Sequence, residues 1–214
     1  MTTTVLLAWS GGKDCALALH YLLTNPNIKV GGLICTISSF NRVGLHGTNI
    51  NLIKKQAELV NLPAYFISTG ADTYKEDFLN GITSIKSNGV IFDSIAFGDI
   101  FLADLKLYRE QMLQEIGITP IFPLWAISTP EVSRQIIKYG IEAIIICINH
   151  NLLAPSILGQ KYAEVINDLH DVDICGENGE FHTFVVNAPF FTGKINYHTG
   201  HIKKSSFNSY LDIF

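Results

Sequence analysis

The stretch Thr4–Leu19, TVLLAWSGGKDCALAL, decides the fold of this chain. Its apolar first part is typical of a short β-strand, and its last part has the apolar spacing of a helix. The glycines of Ser10–Asp14 (SGGKD) let the backbone turn between the two and approach an anion closely. Because the first N–H groups of a helix lack partners within it and the helix dipole adds positive charge there, this stretch predicts a phosphate-binding loop.

The spacing within this loop excludes two familiar phosphate-binding motifs. A Walker A loop needs G-x-x-x-x-G-K-[ST], but only Gly11 separates Ser10 from the Gly-Lys pair, and the Rossmann fingerprint G-x-G-x-x-G is absent. The loop instead resembles the SGGxD[ST] loop of the PP-loop ATP pyrophosphatases, which cut ATP between its α and β phosphates. The alternative is an ordinary glycine-rich turn. The position at the carboxyl end of the first strand favours a ligand site.

The composition is that of a globular protein. Its 214 residues, 48% of them hydrophobic, suffice for one large domain or two small ones. A net charge of −4 argues against general nucleic-acid binding, which depends on neutralising phosphates. No apolar run reaches the roughly 20 residues that a membrane-spanning helix needs, and the basic start of a signal peptide is missing. Scattered cysteines without a C-x-x-C pair fit a reducing compartment, so we expect a cytoplasmic protein.

The first half of the chain alternates strand and helix patterns, which predicts a parallel sheet covered by helices. The predicted strands are Val5–Trp9, Lys29–Ile37, Ala64–Ile67 and Ser94–Phe97. The predicted helices are Lys13–Leu23, Asn49–Val60, Tyr74–Ser87 and Leu102–Ile116. Prolines then cluster after Gly117, which indicates a boundary between a first domain, residues 1–120, and a second one, residues 121–214.

The second half predicts a smaller α+β domain. Thr129–Tyr139 has the pattern of a helix, with Thr129 as its N-cap and Gly140 ending it. The pattern also predicts a strand over Ala143–Asn149 and a helix over Gly159–Leu169. The last predicted β segments are Phe184–Val186, Lys194–His198 and His201–Lys203.

A second dense cluster of polar residues lies at Cys175–Thr183 (CGENGEFHT). Glu177 and Glu180 stand three residues apart, and the glycines between and before them permit a tight turn that directs both carboxylates into one pocket. Such a pair could bind a cation, orient an amine or supply a base. The alternative is a β-hairpin connection with solvated acids.

Several motifs occur in the order found in one family. They are Ser10–Asp14, His46 with Gln56–Glu58, Gly98–Ile100 followed by Arg109, Pro123–Trp125, Gly176–Thr183 and Phe184–Phe191. Together they cover nearly the whole sequence. The chain resembles the diphthine–ammonia ligase family, the amidating enzymes of diphthamide synthesis, and its PP-loop relatives.

The resemblance implies an α/β fold, in which a parallel-sheet PP-loop (HUP-like) nucleotide-binding domain precedes a smaller α+β domain. It implies that the protein uses ATP and Mg²⁺ to adenylate a carboxylate, releases pyrophosphate, and transfers ammonia to the adenylate. The carboxylate would belong to a small molecule or to a modified protein side chain. We expect no nucleic-acid or membrane partner, and a homodimer fits the β-rich second half.

The resemblance and the loop chemistry also nominate site residues. Catalytic roles are expected of Lys13, Asp14, Asp99, Glu177 and Glu180. Nucleotide contacts are expected from Ser10, Gly11, Gly12, Lys13, Asp14, Cys15, His46, Gly98 and Arg109. The Asp14 carboxylate is the expected magnesium ligand, with Lys13 neutralising the leaving pyrophosphate.

For three of these residues, a purely structural role is the alternative to a role in the site. Asp99 would cap the following helix, Arg109 would form a salt bridge or pack within its own helix, and His46 would lie on a surface loop. These alternatives stay open on the sequence alone.

Cys15 departs from the family pattern, which has serine or threonine after the aspartate. A thiol is a weaker hydrogen-bond donor to phosphate than a hydroxyl, so nucleotide binding or turnover is expected to be weaker. No matched base or resolving cysteine stands near Cys15 in sequence, which disfavours a nucleophilic role. The departure also keeps a second function open, namely a nucleotide-binding sensor of ATP or AMP with little turnover.

Overall fold

The computed structural model describes residues 2–38, 42–43 and 47–214. Seven strands form the first sheet: β1 (Thr3–Ala8), β2 (Ile28–Ile37), β3 (Arg42–Val43), β4 (Thr48–Asn49), β5 (Ala64–Ser68), β6 (Ser94–Ala96) and β7 (Thr119–Ile121). The strand order is β4-β3-β2-β1-β6-β7, and β5 pairs with β2. The pairings β1–β2, β1–β6, β2–β5 and β6–β7 are parallel. The carboxyl end of the central strand β1 therefore lies between neighbours that run the same way.

Helices cover both faces of this sheet: α1 (Lys13–Thr24), α2 (Ile50–Val60), α3 (Tyr74–Ser87) and α4 (Ala103–Gln114). Successive side chains of a strand point to opposite faces, and β1 shows the consequence. Val5 and Leu7 pack into one buried cluster with α1 and α2, whereas Leu6 packs into another with α3 and α4. The near-continuous apolar sequence of β1 follows from this burial on both faces.

The second sheet is antiparallel. Its strands are β8 (Glu142–Asn149), β9 (Phe181–Asn187), β10 (Thr199–Lys204) and β11 (Asn208–Ile213), in the order β10-β11-β8-β9. Helix α5 (Thr129–Lys138) and the short α6 (Tyr162–Val165) accompany it. The core beside α1 continues into this sheet, since Leu17 and Phe184 belong to the same buried cluster. This shared core brings β9 alongside the loop that follows β1.

The predicted α/β class with a largely parallel first sheet is confirmed, and the elements of the first half end within two residues of their predicted bounds. The division into domains 1–120 and 121–214 stays a prediction. No helix among residues 2–38, 42–43 and 47–214 has both the length and the apolar character required to cross a bilayer.

Three predictions for the second half are wrong. The predicted helix Gly159–Leu169 contains only α6 and a 3-10 turn, because Gly159 has a φ of +84° and the backbone of Gly159 and Gln160 bonds to Ile145 of β8. The segment Lys194–His198 forms no strand. The N-cap of α5 is Ser128, so Thr129 is already helical. Four further strands were not predicted from the sequence, namely β3, β4, β7 and β11.

Gln56 is a fully buried polar side chain on α2 that joins three parts of the fold. Its Oε1 accepts a hydrogen bond of 2.8 Å from Trp9 Nε1, at the end of β1. Its Nε2 donates to the carbonyl oxygens of Gly11 at 3.1 Å and Val185 at 2.8 Å. One amide group thus holds the glycine loop between α2 and β9.

Replacement of this amide is expected to destabilise the protein. In Gln56→Leu, the indole N–H and two carbonyl groups lose a buried partner, which we expect to lower the free energy of unfolding by about 2–4 kcal/mol. Urea unfolding followed by circular dichroism measures the loss. Gln111→Leu, an exposed glutamine on α4, is the control, and its change is expected to stay within about 0.5 kcal/mol. Equal stability of the two variants would contradict the bridging role of Gln56.

Candidate active site

The glycine loop connects β1 directly to α1. Gly11 has a φ of +83°, and a Cβ there would lie 2.5 Å from Ile53 Cδ1, so no other residue fits. A Cβ on Gly12 would lie 3.3 Å from the carbonyl oxygen of Thr183. The loop is therefore closely packed on both sides.

Strand β9 brings the second predicted cluster against this loop. Val185 N donates to the Gly11 carbonyl oxygen at 2.9 Å. Lys13 N, in the first turn of α1, donates to Thr183 Oγ1 at 3.1 Å. The two clusters, separated by about 160 residues of sequence, thus form one site, as their joint occurrence in the family pattern predicts.

Two cavities meet at the loop. The first, here called the nucleotide cavity, has a volume of about 240 Å³ and an apolar wall that includes Trp9, Ile34, Phe78 and Phe97. The second cavity has a volume of about 320 Å³ and is bordered by Leu102 and Leu105 and by residues of the Cys175–Thr183 segment. The residues that line both cavities are Ser10, Asp14, Asp99 and Glu177. The two cavities therefore adjoin and share a polar wall that contains three carboxylates.

One carboxylate oxygen of Asp14 has a hydrogen-bond partner, and the other has none. Its Oδ2 accepts a hydrogen bond of 2.9 Å from Lys13 Nζ, whereas its buried Oδ1 has no hydrogen-bond partner. A buried carboxylate oxygen without a partner is costly unless a cation or a donor occupies the space in front of it. Mg²⁺ is commonly held by one or two carboxylates together with water and phosphate oxygens, so Asp14 fits this ion. In the described part of the chain, no three His, Cys, Asp or Glu residues converge on one metal position.

Asp99 and Arg109 form a two-pronged ion pair. Arg109 Nε lies 2.6 Å from Asp99 Oδ2, and Arg109 Nη2 lies 3.2 Å from Asp99 Oδ1. The guanidinium group also stacks on the ring of Phe97, at 4.1 Å from its centroid. Neither alternative structural role holds, since Leu102 is the N-cap of α4 and the ion-pair partner of Arg109 lies outside its own helix. Both side chains line the nucleotide cavity.

Glu177 is a half-buried carboxylate on the shared wall. Its Oε1 accepts a hydrogen bond of 3.0 Å from Ile100 N, just after β6. Burial raises the pKa of Glu177 to about 7, and the nearby charges of Asp14 and Asp99 act in the same direction. A carboxylate that titrates near neutral pH can accept and return a proton under physiological conditions.

Glu180 lines neither cavity. It is 5% exposed, and its carboxylate accepts hydrogen bonds from Asp173 N, Asn178 N and Asn178 Nδ2. Asp173 complements it, because its Oδ1 accepts from the backbone N–H groups of Cys175 and Glu177. The geometry thus gives Glu180 a role in shaping the turn that carries Glu177.

Lys13 is directed away from the nucleotide cavity. Its side chain is 2% exposed, and Nζ donates to Asp14 Oδ2 and, at 2.5 Å, to the Cys175 carbonyl oxygen. It lines the second cavity and not the first. The expected contact of Lys13 with the leaving pyrophosphate stays a prediction, since the residue lines the second cavity beside Asp14.

The other predicted nucleotide contacts have different outcomes. Ser10 and Cys15 line the nucleotide cavity, and the Cys15 thiol donates to the Gly12 carbonyl oxygen at 3.0 Å. Burial raises the pKa of Cys15, which disfavours a nucleophilic thiolate. Gly98 permits close packing, since a Cβ there would lie 3.0 Å from Cys15 N. His46 lies outside the described residues.

Several residues that contribute to the site were not predicted from the sequence. Gln56 and Thr183 bind the loop backbone, and Asp173 shapes the Glu177 turn. Tyr74 and Phe78, from the start of α3, complete the wall of the nucleotide cavity. Gln56 and Thr183 both lie within motifs of the family pattern. For Gln56, the sequence also shows a polar residue on the apolar face of α2, which indicates a buried structural role.

Residues 1–120 match the family described as diphthamide synthase N-terminal domain, and residues 128–214 match diphthamide synthase C-terminal domain. Proteins named diphthine–ammonia ligase are similar over 87% of this chain: 26% identical in Bos taurus and 25% in Homo sapiens, each over 79% of the relative, and 27% in Danio rerio over 83%.

A solved structure, that of a predicted subunit of tRNA methyltransferase from Methanocaldococcus jannaschii, aligns with a TM-score of 0.48 and 15% identity. The alignment covers 90% of this chain and 100% of that chain. Both halves of the sequence match one family, and the two motif clusters of that family meet at the glycine loop. The chain belongs to the diphthamide synthase family.

Proposed function

We propose that this protein is an ATP-dependent, AMP-forming ligase of the diphthine–ammonia ligase type, which joins ammonia to a carboxylate. The observation that carries this proposal is the wall of Ser10, Asp14, Asp99 and Glu177 shared by two cavities. Two reactants held in adjoining cavities that share one wall are close and oriented, which is a large part of catalysis in a group-transfer reaction. The names of the relatives supply the substrates, diphthine and ammonia.

ATP would occupy the nucleotide cavity. The flat apolar wall of Trp9, Phe78 and Phe97 suits a nucleobase, and the loop at Ser10 with the first turn of α1 suits the phosphates. Mg²⁺ bound at Asp14 would supply charge that stabilises the departing pyrophosphate. The unpartnered Asp14 Oδ1 supports this assignment.

The acyl substrate would enter the second cavity. One of its carboxylate oxygens attacks the α-phosphorus of ATP, a new P–O bond forms, and the bond to the β-phosphate oxygen breaks with release of pyrophosphate. Ammonia then attacks the acyl carbon, and the acyl C–O bond breaks with release of AMP. The nitrogen loses one proton in forming the amide. Apolar side chains at Leu102 and Leu105 would limit water at the adenylate.

Glu177 is the proposed acceptor of that proton. It lies on the shared wall, and its pKa of about 7 leaves part of the population ionised at neutral pH. The negative charges of Asp14 and Asp99 near it also favour an ammonium ion over an anion at this position. The Arg109 guanidinium holds the Asp99 carboxylate in place for this role.

A nucleotide sensor of ATP or AMP is the second candidate. The thiol of Cys15 favours it, because the weaker donor lines the nucleotide cavity where the family has a hydroxyl. The second cavity and the raised pKa of Glu177 favour the ligase, since a sensor requires neither.

The ligase proposal predicts pyrophosphate release that depends on ATP, a carboxylate substrate and ammonium together. The measurement supplies the purified protein with a diphthine-bearing protein or a pool of small carboxylic acids, and quantifies pyrophosphate, AMP and amide, expected in equal amounts. In Asp14→Asn, the rate is expected to fall by about 10²-fold, because a charge that stabilises the transition state is lost. Asp72→Asn, an exposed aspartate, is the control. Stoichiometric ATP binding without any AMP formation would favour the sensor.

The raised pKa of Glu177 predicts a specific pH dependence of stability. Its folded-state pKa of about 7 lies above the ordinary 4.5, so its contribution to stability is full below pH 4.5 and is lost as the pH rises through about 7. Glu177→Gln removes this loss. The melting temperature of this variant, relative to wild type, is therefore expected to increase between pH 5 and pH 8, whereas Glu58→Gln, an exposed control, shows no such trend. A pH-independent difference for Glu177→Gln contradicts the assignment.

Cys15 allows a test of the one departure in the loop. Cys15→Ser places a stronger donor at the same position, and we expect ATP to bind about tenfold more tightly, since a hydrogen bond to a charged group contributes about 1.5–3 kcal/mol. Cys15→Ala is the matched control and is expected to bind ATP as the wild type does. Isothermal titration calorimetry measures both affinities. An equal affinity for the serine and alanine variants would exclude a phosphate contact at this position.

A further inference from the structure

The loop motif does not explain the contacts that the Lys13 side chain makes. The residue stands inside SGGKD, where a lysine is expected on phosphate. Its side chain is nevertheless 2% exposed and lines the second cavity, not the nucleotide cavity. Some other contact must therefore account for a buried ammonium group at this point.

The contacts of Lys13 hold the turn that carries Glu177. Nζ donates to the carbonyl oxygen of Cys175 at 2.5 Å, two residues before Glu177. The same atom lies 5.1 Å from the ring centroid of Phe181 and 5.4 Å from that of Tyr162. An ammonium group within reach of two aromatic rings is stabilised by their negative quadrupoles. The cage thus contains one carbonyl oxygen, one carboxylate and two rings.

Tyr162 fixes the other side of this turn. Its hydroxyl donates to the carbonyl oxygen of Ile174 at 2.9 Å and lies 2.8 Å from Ser133 Oγ. Tyr162 therefore binds the carbonyl group of Ile174, and Lys13 binds that of the next residue, Cys175. The backbone that leads to Glu177 has little freedom while both contacts persist.

The ammonium group has a charged partner in this environment, because Nζ donates to Asp14 Oδ2 at 2.9 Å. Lys13 in turn lowers the pKa of Glu177. The lysine is thus connected to Glu177 both through the backbone of the turn and through its charge.

We propose that Lys13 is a positioning residue, whose ammonium group holds the Cys175–Glu177 turn against the glycine loop and does not bind the phosphates of the nucleotide. The proposal deepens the proposed function, because it assigns the placement of the Glu177 carboxylate on the shared wall to a residue of the nucleotide loop. The loop then has two faces: the backbone of Ser10 and the first turn of α1 toward the nucleotide, and the side chain of Lys13 toward the acyl side.

The first experiment needs no variant and no turnover. In wild-type protein labelled with ¹⁵N-lysine, the NH₃⁺ signal of Lys13 is expected to be visible, since a buried and hydrogen-bonded ammonium exchanges slowly. In Mg²⁺-free buffer, so that no ion at Asp14 perturbs its neighbour, the chemical shift is expected to stay the same when AMP is replaced by ATP. A shift that appears with ATP and not with AMP would place the ammonium on the β or γ phosphate and overturn the proposal.

The second experiment tests the clamp in the absence of nucleotide. In Lys13→Met, hydrogen exchange of the amides of residues 174–183 is expected to become about tenfold faster, because the loss of a charged hydrogen bond favours local opening. Lys13→Arg retains the charge and is expected to restore protection, and Lys55→Met, a lysine with a 54% exposed side chain, is the control. Unchanged exchange in a folded Lys13→Met protein would refute the clamp. If Lys13→Met does not fold, Lys13→Gln takes its place with the same expectation.

The third experiment separates this proposal from the ligase proposal. The ratio of the ATP and AMP dissociation constants is expected to change by less than about threefold in Lys13→Met, whereas loss of a phosphate contact would change it by about tenfold or more. The rate of amide formation is expected to fall and to recover in Lys13→Arg. If the wild type forms no amide, the proposed function fails, while the exchange and affinity results still decide the role of Lys13.

Discussion

The carbonyl group of Gly11 is the point on which the rest of the site depends. Its oxygen accepts hydrogen bonds from Val185 N of β9 and from Gln56 Nε2 of α2. A buried carbonyl satisfied from two directions fixes the plane of its peptide group. The glycine loop, α2 of the first sheet's layer and β9 of the antiparallel sheet therefore have one common anchor, at a residue whose φ of +83° favours glycine.

This anchor explains why the two cavities share a wall. The same strand that bonds to Gly11 begins at Phe181, directly after the turn that carries Glu177. On the other side, β6 ends at Ala96, and Gly98 packs against the first turn of α1. Asp14, Asp99 and Glu177 thus come from a helix start, a strand end and a turn, and the three carboxylates converge because each segment contacts the loop. Burial raises the pKa of Glu177, and the proximity of the Asp14 and Asp99 carboxylates adds to the effect.

The sequence predicted the parallel sheet and the loop well, because hydrophobic periodicity and glycine placement are local signals. It predicted the end of the chain poorly, since pairing with β8, not local pattern, determines the conformation around Gly159. Site residues divide in the same way. Asp14 and Glu177 were identified from motifs, whereas the directions of Lys13 and Glu180 depend on a carbonyl at Cys175 and on amides of the 173–178 turn. Such contacts join backbone segments that are far apart in the sequence or that fold back on themselves in a turn. No periodic pattern in the sequence predicts them.

The bond from Lys13 N to Thr183 Oγ1 spans 170 residues. A contact of such separation forms late, because the chain between its ends must first be ordered. During synthesis, the glycine loop leaves the ribosome before β9 does, because 170 residues separate Lys13 from Thr183. The early loop has the residues for holding a phosphate but neither the partner that orders it nor the carboxylate on the acyl side. A nascent chain that has not yet reached residues 177–183 therefore lacks Glu177 and Thr183, and the shared wall forms only after they join the loop.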